Sequence, residues 1–258
     1  MLHRYFIRLS FNGTQYHGWQ SQGNSLCVQD VIKKALSVVL QHELAVTGAG
    51  RTDAGVHAKE FFAHFDFSKQ LNISETEELI KHLNGYLTAD IAVQSVFEVP
   101  FDAHTRFNAV SRTYQYIIST VKDPFLTNLA YRYLGFLDID LMNRGSELIK
   151  RCDDFTSFAK LPMETKTNIC KVTEAFWVRK ESKLVFTITA DRFLRNMVRA
   201  IVGTLIDLGR KHLKLEDIEK IILAKDRRAA GYSVPACGLY LTTIKYPDSI
   251  TQNEIRIS

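Results

Sequence analysis

A short glycine-rich segment carries the charged side chains of greatest chemical interest in this sequence. Gly48–Ala58 (GAGRTDAGVHA) places three glycines around Arg51 and Asp53. A carboxylate presented by such a tight loop can act as a nucleophile or a base. The alternative is that Asp53 only braces the turn by accepting backbone hydrogen bonds. The segment is not a phosphate-binding loop, because the order Gly-x-x-x-x-Gly-Lys-Ser/Thr is absent.

Two further side chains have both a structural and a functional interpretation. Arg199 lies in an apolar predicted helix, where a charge is seldom buried without a partner, although it could also be a surface residue or a phosphate contact. Tyr114 lies in an alternating segment, where a core aromatic is the simplest interpretation. Tyr116 should point the same way in an ideal strand, so the spacing alone does not choose between the two tyrosines.

Metal ligands and disulfides have no recognisable pattern in the sequence. The four cysteines are far apart and never form Cys-x-x-Cys. A metal-dependent nuclease or phosphatase could use Asp53, Asp66 and Asp102 to hold Mg²⁺, but these carboxylates show no compact ligand spacing. The cysteines are therefore interpreted as small core residues.

Positive charge is concentrated towards the carboxyl-terminal part of the chain. The 258 residues include 33 Lys and Arg against 28 Asp and Glu, a net charge of +5. Between Arg192 and Arg228 ten basic residues face five acidic ones. This surplus fits a nucleic-acid contact or, equally well, a solvated helix face. No apolar run approaches the ~18 residues that span a bilayer, and residues 1–8 alternate in polarity, so we expect a cytoplasmic protein.

These residues require a framework of strands and helices that can hold them. The hydrophobic periodicity predicts strands at 4–11, 44–47, 60–67, 91–99, 112–120, 171–179, 183–190 and 239–246. Helices are predicted from Val28, from Ser74 with a capping box to Glu77, over 138–150, near 193–208 and over 215–224.

The order of these elements favours an α+β fold. Two similar sets of strands and helices follow each other without strict βαβα alternation, so we expect helices packed on a largely antiparallel sheet. No linker separates the sets. We therefore predict two halves, 1–105 with the Asp53 loop and 106–258 with Tyr114, Arg199 and the basic helical region. They should share a continuous sheet with an active-site cleft between them.

Five blocks of sequence, in order along nearly the whole chain, resemble the tRNA pseudouridine synthase A family. The central one is Gly50–His57 (GRTDAGVH), which is similar to the catalytic motif of that family. The others are FNGTQYHGWQ at 11–20, FDAHTRF at 101–107 followed by RTYQY at 112–116, FLRNMVR at 193–199 and ACGLYL at 236–241. The segment 20–27 departs from the family by lacking a basic residue after the Trp-Gln pair.

The resemblance implies a role for each candidate side chain. Asp53 would attack the target nucleoside, either by covalent addition or by removing a ribose proton. Arg199 would pair with Asp53 and keep it ionised in a site that the nucleobase desolvates. Tyr114 would stack on the uracil, Leu239 would form an apolar wall, and Arg51 would fill the gap left by the flipped base or contact a phosphate. Substrate and product are isomers, so neither a cofactor nor a metal is expected.

The partners are likewise implied by the resemblance. Family members act as homodimers on the anticodon stem-loop of tRNA, at the neighbouring uridines 38, 39 and 40. Contacts to phosphate and ribose would dominate binding. The candidate basic residues are Arg192, Arg195, Arg210, Lys211, Arg227 and Arg228, with His104 and Arg106 nearer the site. The alternatives are a synthase of the same family acting on another RNA and a tRNA-binding protein without catalysis.

Overall fold

The computed structural model describes residues 1–160 and 167–254. Its fold is α+β, as predicted, with a mixed, largely antiparallel open sheet. The strands are β1 His3–Phe11, β2 Thr47–Gly48, β3 His57–Phe67, β4 Ile91–Val99, β5 Ser111–Ser119, β6 Tyr131–Arg132, β7 Val172–Lys180, β8 Lys183–Ala190 and β9 Leu239–Lys245. The α-helices of the described residues are α1 Val28–Val39, α2 Ile73–Tyr86, α3 Ile139–Lys150, α4 Met197–Gly209, α5 Leu215–Ala224 and α6 Asp248–Thr251.

The chain folds into two compact units. The first contains Met1–Val110 with Leu241–Ser258, and the second contains Ser111–Tyr240. Residues 241–254 therefore belong to the same unit as residues 1–110.

The first unit is built on antiparallel strands in the order β4-β1-β3, with the short β2 paired to β3. Ile7 of β1 lies opposite Ala63 of β3 on one side and Val96 of β4 on the other, and all three are buried. The buried apolar residues of the central strand thus contribute to the core. Helix α2 packs on β4, and α1 contacts α2. The predicted strand 44–47 is wrong except at its last residue, because pairing begins only at Thr47.

Helix α2 begins earlier than the sequence pattern predicted. Its amino-terminal cap is Asn72, whose side chain accepts from the amide of Glu75 at 3.0 Å, while Glu75 accepts from the Asn72 amide at 2.9 Å. The capping box predicted at Ser74 and Glu77 is therefore wrong by two residues. Two overlapping cap sequences are present, and Asn is as good a cap as Ser.

The second unit pairs β5, β8 and β7 antiparallel, with β6 parallel to β5. Helix α3 packs on β7 and also contacts α4 and α5. Helix α4 is the most buried helix, since Ala200–Leu205 is buried throughout. It begins at Met197, not near Phe193, because Asn196 adopts a left-handed conformation with φ 66° that interrupts the helix.

Candidate functional site

The loop that carries Arg51 and Asp53 connects β2 to β3 in the first unit. The Ala49 amide donates to the Phe62 carbonyl at 2.8 Å, which fixes the start of the loop against β3. The Val56 amide donates to the Asp53 carbonyl at 3.2 Å, closing a tight turn through Gly55 at φ +77°. Asp53 is half-buried and Arg51 is exposed. The glycine-rich segment thus forms the tight turn predicted from the sequence.

The Arg51 side chain is held from the amino-terminal block of the sequence. Its Nε donates to Gln20 Oε1 at 2.6 Å, across 31 residues of chain. Gln20 ends the Trp-Gln pair, directly before the residues that depart from the family pattern. An amide oxygen that accepts from the guanidinium fixes the plane of the Arg51 fork without neutralising its charge.

The structure distinguishes the two tyrosines that the strand pattern left equivalent. Tyr116 is fully buried, and its hydroxyl donates to the Pro235 carbonyl at 2.8 Å. Burial raises the pKa of Tyr116 far above its ordinary value. Tyr114 is only half-buried, and its ring meets Phe193 edge-on with a centroid distance of 5.0 Å. Tyr116 is therefore a core residue, and Tyr114 is the tyrosine with a ring partly accessible to a ligand.

Arg199 lies in the first turns of α4, among buried apolar residues, as predicted. It is half-buried, and its Nε donates to the Val234 carbonyl at 2.7 Å. The Val234 amide in turn donates to the Arg199 carbonyl at 3.3 Å. The side chain is thus anchored at one nitrogen to the segment before β9, so its guanidinium has a fixed orientation.

Leu239 opens β9 directly after the turn Ala236–Gly238 and is buried, with 6% of its surface exposed. Gly238 packs closely on Tyr116: a Cβ there would lie 2.7 Å from the Tyr116 Cζ. The core tyrosine therefore supports the turn that positions Leu239.

The predicted site residues divide between the two units. Arg51 and Asp53 share one loop of the first unit, while Tyr114, Arg199 and Leu239 belong to the second. That they meet in one pocket stays a prediction.

Several of the basic residues proposed to contact RNA have acidic neighbours. Arg228 pairs with Asp226 at 2.7 Å, Arg210 with Asp207 at 3.6 Å, and Lys211 with Asp138 at 3.5 Å. Arg227 donates to the Gly231 carbonyl at 3.0 Å and to Ser233 Oγ at 2.9 Å, and burial lowers its pKa. Part of the positive charge counted in the sequence is thus engaged in ion pairs and hydrogen bonds within the second unit. Arg192 is half-buried, whereas Arg195 is exposed.

The metal-site alternative gains no support from the described part of the chain. No group of three or more His, Cys, Asp or Glu residues is arranged there to hold an ion. Asp66 instead forms a two-pronged ion pair with Arg4, at 2.7 Å and 2.8 Å, which lowers the pKa of Asp66.

Among residues 1–160 and 167–254, no helix combines the length and the apolar character required to cross a bilayer.

Comparison with known proteins gives consistent similarities. A family model described as tRNA pseudouridine synthase matches residues 152–247. The whole chain is 46% identical to the tRNA pseudouridine synthase A of Bacteroides thetaiotaomicron, of which it covers 96%. With the protein of the same name from Bacteroides fragilis, it is 48% identical over 96% of this chain and 98% of that protein. The Clostridium acetobutylicum protein of that name is 37% identical over 93% of this chain and 98% of that protein.

Proposed function

Because the chain belongs to the tRNA pseudouridine synthase A family, and is thereby an isomerase that acts on tRNA, we propose that Asp53 is its catalytic carboxylate. In the reaction the bond between uracil N1 and ribose C1′ breaks and a bond between C5 and C1′ forms. The C5 proton leaves and N1 gains a proton, so no electrons are exchanged with another molecule. The reaction therefore requires no redox cofactor and no group donor, and we expect no catalytic metal.

The observation that carries the proposal is the placement of Asp53. It is half-buried in a glycine-rich turn, beside Arg51, within a chain that matches its relatives over its full length. A carboxylate held in this way can reach C1′ or C6 of an extruded nucleotide, either as a nucleophile or as a base. A protein that only bound RNA would have no use for an anion facing the phosphates of its ligand.

The other site residues complete the proposed pocket. Arg199 pairs with Asp53 and keeps it ionised, and its anchoring to Val234 supports a fixed direction of approach. The half-buried ring of Tyr114 stacks on the uracil, and Leu239 supplies an apolar wall. Arg51 inserts its planar guanidinium where the flipped base had been. The hydrogen bond from Arg51 to Gln20 supports this role, because it limits the positions of the fork before RNA arrives.

The larger-scale features of the proposal follow the family. The halves 1–105 and 106–258 would share a continuous sheet, with the active-site cleft between them. The substrate would be the anticodon stem-loop of tRNA, bound by a homodimer in the cytoplasm. The exposed Arg195 and Arg106 supply positive charge for phosphate contacts.

The proposal is tested by mapping pseudouridine in tRNA from cells with and without this protein. Loss of pseudouridine at positions 38, 39 and 40, restored by the intact gene but not by one encoding Asp53→Asn, is the expected result. Unchanged tRNA with altered pseudouridine in another RNA would support the alternative of a different substrate.

A further inference from the structure

The amino-terminal block Gly13–Gln20, here called the brace, makes three hydrogen bonds to the segment around Asp53 in addition to the bond between Gln20 and Arg51. The Trp19 amide donates to Thr52 Oγ1 at 3.0 Å. The Gly55 amide donates to the Tyr16 carbonyl at 3.1 Å, and the Gly13 amide donates to His57 Nδ1 at 3.0 Å. The loop is therefore fastened both before and after Asp53.

The backbones of the brace and the loop are also in direct contact. Gly18 has φ +91°, and a Cβ there would lie 2.1 Å from the Thr52 carbonyl oxygen and 3.2 Å from the Asp53 carbonyl carbon. A Cβ on Gly13 would lie 1.9 Å from the Val56 carbonyl oxygen. No side chain fits at either glycine, so the two segments are as close as backbones can come.

The brace is itself rigid because Trp19 is part of the core. Only 2% of Trp19 is exposed, and its ring stacks on Phe61 of β3 with a centroid distance of 4.2 Å. Gly48, at the start of the loop, packs against the same indole, since a Cβ there would lie 2.3 Å from the Trp19 Nε1. The Trp19 amide, which donates to Thr52 Oγ1, is thus fixed to the sheet.

We propose that Thr52 is a positioning residue, whose hydroxyl, held by the Trp19 amide, fixes the backbone from which Asp53 reaches the nucleotide. This inference rests on the proposed role of Asp53. A displacement of about 1 Å in a reacting group can cost on the order of 100-fold in rate. Thr52 precedes Asp53 directly. Loss of the hydrogen bond from the Trp19 amide would therefore allow the backbone that carries the Asp53 carboxylate to move.

The test compares a substitution that keeps the shape of the threonine side chain with one that keeps its hydroxyl. Thr52→Val keeps the branched shape but removes the acceptor, whereas Thr52→Ser keeps the hydroxyl. We expect Thr52→Val to lower the single-turnover rate of tritium release from C5-labelled tRNA by roughly 10- to 100-fold. Thr52→Ser should stay within about threefold of wild type, and tRNA affinity should be unchanged in both variants.

A matched control separates positioning from general stability. Thr76 in α2 also makes a hydroxyl hydrogen bond, to the Ile73 carbonyl at 2.8 Å, but lies outside the loop and the brace. Thr76→Val should keep the wild-type rate. Thermal melting of all three variants shows whether each is folded, and Thr52→Ala replaces Thr52→Val if the latter is not.

The outcomes separate this inference from the proposed function. If Thr52→Val turns over as wild type while Asp53→Asn is inactive, the positioning role is wrong and the role of Asp53 stands. Equal losses in Thr52→Val and Thr52→Ser also overturn it, because the hydroxyl would then not matter. If Asp53→Asn is active, the proposed function itself fails.

Discussion

At the scale of single residues, the site depends on side chains whose orientation is fixed by a second contact. Arg51 is held by Gln20, and Arg199 is held by the Val234 carbonyl. The core residue Tyr116, outside the proposed site, is likewise held by the Pro235 carbonyl. Fixing groups before the substrate binds reduces the ordering that binding would otherwise require.

The two tyrosines of β5 should respond oppositely to substitution. Tyr116→Phe removes the hydroxyl that donates to Pro235, so it should lower the free energy of unfolding by about 1–2 kcal/mol and leave the rate unchanged. Tyr114→Leu removes the face proposed to stack on uracil, worth about 1–3 kcal/mol per base, so kcat/KM should fall roughly 10- to 100-fold. Denaturant unfolding and tritium release measure the two quantities. A large rate loss in Tyr116→Phe with normal Tyr114→Leu turnover would reverse the assignment.

The single-turnover rate should depend more on the charge of the side chain at Arg199 than on its shape. Arg199→Lys keeps the positive charge but loses the planar fork, whereas Arg199→Met keeps much of the apolar stem and loses the charge. If Arg199 keeps Asp53 ionised, the Met variant should be on the order of 100-fold slower in single turnover, with Lys between Met and wild type.

Filter binding at several salt concentrations is the control for Arg199. A phosphate contact would weaken tRNA binding and flatten its salt dependence when replaced by Met. That outcome with an unchanged single-turnover rate would contradict the pairing with Asp53.

At the scale of elements, β3 joins the Asp53 loop to the core and contains a buried histidine. His64 is 6% exposed, and its Nδ1 lies 2.9 Å from Thr105 Oγ1, which donates to the Thr47 carbonyl at 3.1 Å. Burial, with Arg4 and His104 nearby, lowers the pKa of His64 to about 4, although Asp66 acts in the opposite direction. The histidine is therefore neutral in the folded protein near pH 7.

His64 should make the protein less stable in acid. Its folded pKa lies below the ordinary value of 6.5, so the unfolded chain binds the proton first as pH falls. The contribution of His64 to the free energy of unfolding is complete above about pH 6.5. It falls by about 3 kcal/mol in total as the pH decreases from there to about pH 4. Urea unfolding of His64→Gln at several pH values should show a shallower decline. The exposed His82→Gln in α2 should behave as wild type, and an equal decline in all three proteins would contradict the assignment.

Element positions were largely predictable from periodicity, and their ends were not. Strands β4 and β8 and helix α5 have the predicted bounds, because apolar spacing is regular over their whole length. Helix α4 begins later than predicted, since the apolar pattern continues through Phe193 while Asn196 breaks the backbone geometry. The bond from Trp19 to Thr52 joins residues 33 apart, so no local pattern could reveal it.

At the scale of the whole molecule, the similarity to known synthases extends over both compact units. The motifs that resemble the family are spread over both units, in agreement with the full-length similarity. Motif resemblance could assign roles to Asp53, Arg199 and Tyr114, but spacing alone could not, because each also has an ordinary structural interpretation. The contacts of Tyr116 remove one such ambiguity.

The central claim, that Asp53 performs the isomerisation, is tested most directly by tritium release from C5-labelled tRNA with Asp53→Asn. This change keeps size and hydrogen bonding but removes the anion, so release should fall to the uncatalysed background while filter binding of tRNA stays close to wild type. Release by the Asn variant at more than a few per cent of the wild-type rate would contradict the account and move the chemistry to another residue.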